Sequence, residues 1–220
     1  MEVNKESIIN AFATVIFAVS GLMNLSATVL QRTLKKRQCA SVVLFIEIVA
    51  FSTNLLQLLR AFPVVNNVEG RPFDWYHFLQ WSFTTPAMLL ILSSLGTSME
   101  EQFVVDWPLT LRAILYDELM LLSGLLAMYF TGQLRIICFI VACCCFIKLC
   151  ALIGNIIHLC IESSGTAGEV QTLVVLKWVT YALWSFFGIF QVPIKYFHPL
   201  TEECRNVCPC FHLLWMVTGH

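Results

Sequence analysis

Charge is what this sequence has least of. Only 12% of its 220 residues are Asp, Glu, Lys or Arg, about half the share found in an average soluble domain. That scarcity argues against a fully solvated globule. The net charge is −1, so there is no basic excess to hold a nucleic acid. No basic stretch precedes the first apolar run, and a cleaved signal peptide is therefore not expected. Internal repeats and low-complexity tracts are missing as well. So are a nucleophile–base pair, a glycine-rich phosphate loop and a standard metal-ligand set, and no enzyme is expected from the residues.

What fills the chain is apolar. Hydrophobic residues make up 58% of it, and the mean hydropathy is +0.77. The charges sit in short clusters between long apolar runs, as bilayer-spanning helices require. A span takes about 20 apolar residues, and candidates lie at roughly 8–30, 40–61, 75–96, 108–131, 135–157 and 172–197. The expectation is an all-α integral membrane protein with six complete spans. A seventh apolar stretch begins near Phe211 and, at about ten residues, is too short to cross. Residues 1–205 form the expected transmembrane domain, and 206–220 an atypical or truncated C-terminal segment.

The loops orient the spans. The first, Gln31–Gln38, carries Arg32, Lys35, Lys36 and Arg37. Positive loops stay cytoplasmic, which places the N-terminus outside. Phe62–Asp74, with Asn66–Asn67 and Gly70, reads as a turn on the outer side. Gly96–Pro108 and Glu162–Gly168 are then inside, and Thr131–Leu134 is a tight outer turn.

Ten cysteines are present, six of them from Cys138 to Cys160 in an apolar run. There they read as small packing residues. Cys204, Cys208 and Cys210 form C-x-x-x-C-x-C before His212, a spacing that matches no standard zinc pattern.

Ionisable groups inside a bilayer are costly, so each is a candidate for function. Glu47 falls midway along the second span, Asp117 and Glu118 midway along the fourth, and Lys148 past the middle of the fifth. Gln80, Thr84 and Thr85 fall in the third. Gln80 and Thr84 are four apart and share a helix face. The plainer reading of all of them is hydrogen bonding between helices. That reading suits the threonines best, whereas Glu47 and Asp117 each need a partner or water. Trp75, Trp107 and Trp178 lie near span ends and fit an interfacial belt. Trp81 and Trp184 lie deeper, as packing residues or as two walls of an apolar pocket.

Three motifs give these residues a common reading. Trp81-Ser-Phe-Thr-Thr-Pro86, followed by Leu89-Leu90, resembles the third helix of microbial (type 1) rhodopsins, the seven-helix retinal proteins typified by bacteriorhodopsin. Asp117-Glu-Leu-Met120-Leu-Leu-Ser-Gly124-Leu resembles the family's D-x-x-M-x-x-[ST]-G-L segment on the fourth helix. Trp184-Ser-Phe-Phe187-Gly188 resembles W-S-x-Y-P on the sixth, with phenylalanine for tyrosine and glycine for proline. The resemblance covers about residues 8–205 and implies a retinal pocket. Trp81 and Trp184 would sandwich the polyene. Met120, Gly124 and Phe187 would line its ring end and sides. Thr85 and Asp117 would share a hydrogen bond between the third and fourth helices. Phe139 and Phe146 would contribute from the fifth.

The departures from the family are equally specific. Proton pumps of this kind place a carboxylate one residue before the third-helix tryptophan. Here that residue is Gln80, which cannot take up a proton. The donor position five residues after the proline is Ile91, and the arginine position four before the tryptophan is His77. An outward proton pump is therefore not expected. Channel members of the family use glutamates on helix two, so Glu47, with Gln80 and Thr84, points to an ion path for monovalent or divalent cations.

The family also attaches retinal through a lysine in D-x-x-[SA]-K on helix seven. That segment does not occur here. Lys195 falls at the outer end of the sixth span, and Lys148 is on the wrong helix. One account is a truncation or frame shift near Cys208, and the other a lysine-free relative. Three readings result. The first is a light-gated or light-driven ion transporter and photoreceptor with a retinal chromophore. The second is a non-photochemical opsin-like scaffold or partner-binding protein. The third is an unrelated six-helix membrane protein. Expected partners are the lipid bilayer, retinal, cations and, in a homo-oligomer, further copies of the chain.

Overall fold

The structure is a computed structural model that describes residues 5–70, 72–73, 75–95, 105–162 and 167–191. These residues form six helices, α1 (Lys5–Leu30), α2 (Leu34–Leu58), α3 (Tyr76–Ser94), α4 (Trp107–Tyr129), α5 (Gly132–Glu162) and α6 (Ala167–Gln191). A two-stranded hairpin, β1 (Val65–Asn66) and β2 (Pro72–Phe73), stands between α2 and α3. The chain divides into two compact units, Met1–Trp178 and Val179–His220. Within the first, α1 packs on α2, α2 on α3, α3 on α4 and α4 on α5, and α3 also meets α5. So α3 touches three other helices and is the centre of that unit.

Local chemistry sets the boundaries. Asp106 caps α4, its carboxylate accepting the Leu109 N–H at 3.2 Å, and Pro108 occupies the first turn, where its missing N–H costs nothing. The hairpin turns at Asn67–Gly70. The Gly70 N–H donates to the Asn67 carbonyl at 2.9 Å, and Gly70 takes a φ of +76° that a side chain would disfavour. The strands pair Val65 with Phe73 and Asn66 with Pro72. The Val68 N–H donates to the Tyr129 carbonyl at 3.1 Å, and Arg135 approaches Glu69 at 3.8 Å. The hairpin therefore lies at the same end of the unit as the α4–α5 turn.

Several sequence boundaries shift. The expected basic loop Gln31–Gln38 contracts, because Lys35, Lys36 and Arg37 are good helix formers and join α2 at its start. The α4–α5 turn contracts to Phe130–Thr131, and α5 runs beyond both expected ends, with Gly132 at φ +60°. Trp178, placed near a span end by sequence, falls in the middle of α6 and is exposed. Trp75 does stand at a helix end, its indole N–H donating to the Pro63 carbonyl at 3.1 Å. The stretch from Phe211, the Cys204–His212 cluster, Lys195 and Trp215 lie outside the described residues, as does most of the Gly96–Pro108 loop.

The apolar pattern is inverted relative to a soluble bundle. Large side chains such as Phe12, Leu22, Leu115, Ile140 and Ile147 face outward. Residues Ala11–Leu30 of α1, together with α2 and α5, are long and apolar enough to cross a bilayer. Burial combines aliphatics of α3, α4 and α5 with small and polar groups such as Thr84, Ser94, Thr110 and Asp117. Leu149, Ile153 and Ile157 of α5 are fully enclosed. At the hairpin-distal end, the Thr110 hydroxyl donates to Ser93 at 2.7 Å, the Ser94 hydroxyl to the Ile91 carbonyl at 2.7 Å, and the Cys160 thiol to the Leu92 carbonyl at 3.7 Å. Without water, such bonds and close packing are what hold helices together. Ile153→Ala is expected to lower unfolding stability in detergent by roughly 2 kcal/mol or more through the cavity it leaves. Ile147→Ala, at a site 65% exposed, should change it by less than about 0.5 kcal/mol.

Candidate functional site

The third helix carries a proline in its interior, Pro86. A proline has no N–H to offer the turn below it. The two preceding residues are threonines whose hydroxyls bond back to that turn. Thr84 donates to the Gln80 carbonyl at 3.1 Å, and Thr85 to the Trp81 carbonyl at 2.8 Å. Thr84 is buried in the unit, while Gln80 and Thr85 are half-buried.

Thr85 has a second partner. Its hydroxyl also hydrogen-bonds Asp117 Oδ2, from the middle of α4. Asp117 is 0% exposed, and its other oxygen, Oδ1, has no partner among the described residues. One hydroxyl carries one proton. That proton is shared between the Trp81 carbonyl and Asp117 Oδ2.

Gly124 lies seven residues on from Asp117, on the same buried face of α4 as Thr110, Ala113 and Leu121. A Cβ there would stand 3.2 Å from Phe78 Cε1 on α3. Phe78 in turn meets Trp81 edge-on, with ring centroids 5.5 Å apart. His77 stacks on Trp81 at 6.0 Å and leans on Tyr76 at 4.4 Å. Tyr76 stacks on Phe62 at 5.0 Å and accepts from Gln57 Nε2 at 2.5 Å. Trp81 thus heads an aromatic ladder that runs along the start of α3 toward the α2–α3 connection.

The remaining expected wall residues are distributed more loosely. Met120 on α4 and Phe139 and Phe146 on α5 are half-buried. Trp184 is half-buried in the unit Val179–His220. The Phe187 side chain lies outside the described residues.

Glu47 forms a separate constellation. It is buried on α2, and among the described residues its side-chain hydrogen bonds go to α1. Ser20 Oγ donates to Oε1, and Asn24 Nδ2 lies 2.8 Å from Oε1 and 2.9 Å from Oε2. Gly21 lies beside the carboxylate, where a Cβ would make only ordinary contact at 4.0 Å. The sequence reading grouped Glu47 with Gln80 and Thr84, but no hydrogen bond joins them among the described residues. It also passed over Ser20 and Asn24, although two polar residues four apart in an apolar run were a legible signal. No set of three His, Cys, Asp or Glu side chains suited to a metal occurs among the described residues.

A polar tie between α3 and α4 behind a tryptophan, in an inverted apolar bundle, fits the resemblance seen in the sequence. The family model for bacteriorhodopsin-like proteins matches residues 5–201. This chain belongs to that family. Solved structures share its fold. The transmembrane domain of the Salpingoeca rosetta rhodopsin phosphodiesterase is 15% identical, with a TM-score of 0.74 over 86% of this chain and 71% of that one. Thermophilic rhodopsin from Rubrobacter xylanophilus is 22% identical, with a TM-score of 0.72 over 84% and 78%. The light-driven proton pump of Coccomyxa subellipsoidea is 20% identical, with a TM-score of 0.71 over 86% and 81%. No curated protein sequence matches the chain.

Membership makes the chain an integral, multi-pass membrane protein of a family that normally binds retinal. The α3–α4 residues fit such a ligand. Gly124 keeps a side chain out of the space beside Phe78, and Trp81 supplies a flat apolar face. Thr85→Val removes the only hydroxyl that meets Asp117 among the described residues. It is expected to cost about 1–3 kcal/mol in detergent unfolding, because a buried carboxyl loses its partner. Asp117→Asn keeps a hydrogen-bonding group and should cost clearly less, and equal losses would contradict this account of the pair.

Proposed function

We propose that the chain is a retinal-binding photoreceptor that conducts cations passively when gated by light, and that it is neither an outward proton pump nor an enzyme. The observation that carries the reading is the placement of its carboxylates. The third helix offers Gln80 and Ile91 where a pump needs acids that load and release a proton. The buried acid outside the α3–α4 pair is Glu47, held at the α1–α2 seam by Ser20 and Asn24. A polar side chain at such a mid-span seam is the kind of group that lines a cation path.

Retinal, when bound, supplies absorption of visible light and a change of shape. The chain's own residues do the rest. Trp81 forms one wall, Gly124 and Phe78 shape a gap beside it, and the Thr85–Asp117 bond fixes α4 against α3. The basic residues Arg32, Lys35, Lys36 and Arg37 keep the α1–α2 connection cytoplasmic and the N-terminus outside.

A second reading, a lysine-free opsin-like scaffold, draws on the lysines. None stands on α3 or α4, and Lys148 of α5 faces outward. Membranes containing the full chain, mixed with all-trans retinal, should develop a visible absorption band, and no band would favour the scaffold. Under voltage clamp, light should evoke a current that reverses with the cation gradient. Glu47→Gln should lower that cation current several-fold while leaving the absorption band in place. A light-driven current against the gradient would overturn passive conduction.

A further inference from the structure

The outward face of α5 holds a feature that neither the ligand site nor the cation path uses. Ile140, Cys143, Cys144, Ile147, Lys148 and Ala151 are all exposed there. Lys148 stands near the middle of this 31-residue helix, and among the described residues it has no ion-pair partner. A cation facing lipid from such a position is costly and calls for a counter-charge. The adjoining helix carries one. On α4, Leu111, Leu115, Leu119 and Leu122 face outward, and Glu118 lies among them, half-buried. It too lacks an ion-pair partner among the described residues.

We infer that this α4–α5 face docks a second copy of the chain, with Lys148 of each protomer paired to Glu118 of the other. Depth supports the match. Glu118 lies eleven residues before the end of α4 at Tyr129, and Lys148 sixteen after the start of α5 at Gly132. At 1.5 Å per residue the two stand about 16 and 24 Å from the shared turn, an axial offset of about 8 Å. Side chains lean toward the N-terminus of their own helix. In these antiparallel helices Glu118 leans away from the turn and Lys148 toward it, so the two long side chains close the gap. A two-fold axis along the membrane normal preserves depth. It makes the contact reciprocal, with two ion pairs per interface. Cys144 and Ala151, one turn to either side of Lys148, are small enough to let the partner helix come close. The bilayer interior offers no carboxylate at this depth, whereas a second copy does.

The test uses the full chain in lipid vesicles, carrying donor or acceptor fluorophores on separate preparations, with energy transfer read as lipid dilutes the protein. Wild type should show transfer. Lys148→Glu alone and Glu118→Lys alone should each lose it, with a dissociation constant raised about a hundredfold or more, because two attractive pairs become two repulsive ones. Donor-labelled Lys148→Glu mixed with acceptor-labelled Glu118→Lys should recover it, since that heterodimer restores both pairs. Recovery also shows that both variants fold. A monomeric wild type would overturn the proposal, and so would single variants that associate like wild type. A mixture without recovery, with helicity intact by circular dichroism, would overturn it too, because a pair formed within one chain gives that result.

Discussion

Asp117 sits between α3 and α4 with none of its surface exposed, and the Thr85 hydroxyl is what answers it. In a bilayer a lone carboxyl cannot turn to water, so helix register follows from the need to meet it. With Thr85 opposite Asp117, Gly124 falls opposite Phe78, and Phe78 supports the edge of Trp81. Had α4 been rotated by one residue, Glu118 would face the core and Asp117 would take the half-buried place of Tyr116. The pair therefore decides which face of α4 is site and which is surface. The outward face keeps Glu118 among leucines, where it is a docking group and not part of the ligand site.

The α1–α2 seam repeats this solution with other residues. Glu47 is buried and met by Ser20 and Asn24, both neutral. Neutral donors meet both of its oxygens and tie α2 to α1 without a salt bridge. Two buried acids in one bundle thus have different settings. One is served by a single hydroxyl and keeps an open oxygen, and the other is served on both oxygens.

Membrane chemistry also explains what reads as inversion. Lipid rewards apolar surface wherever it is, so Ile140 and Leu115 carry little information about packing. Small and polar residues carry it instead. Gly124, Thr110, Ser93 and Ser94 mark contacts because only such groups allow close approach and hydrogen bonding between helices. This is why the polar positions of α3 and α4 could be picked from the sequence, whereas the aromatic residues of α5 could not be given definite roles.

The sequence by itself determined the class of protein, its six apolar helices and the third- and fourth-helix motifs, because apolar length and scarce charge leave few alternatives in a chain this hydrophobic. Gln80 and Ile91, where the resemblance to pumps would place acids, were legible too, since residue type is read directly from the sequence. Helix ends were less legible. Lys35–Arg37 look like a loop by charge yet belong to the start of α2, because basic residues favour helix. The tertiary structure decided the pairings. That Glu47 turns to α1 and not toward Gln80, and that Lys148 faces outward, depends on the rotation of each helix about its axis, which packing against neighbours sets and apolar content does not.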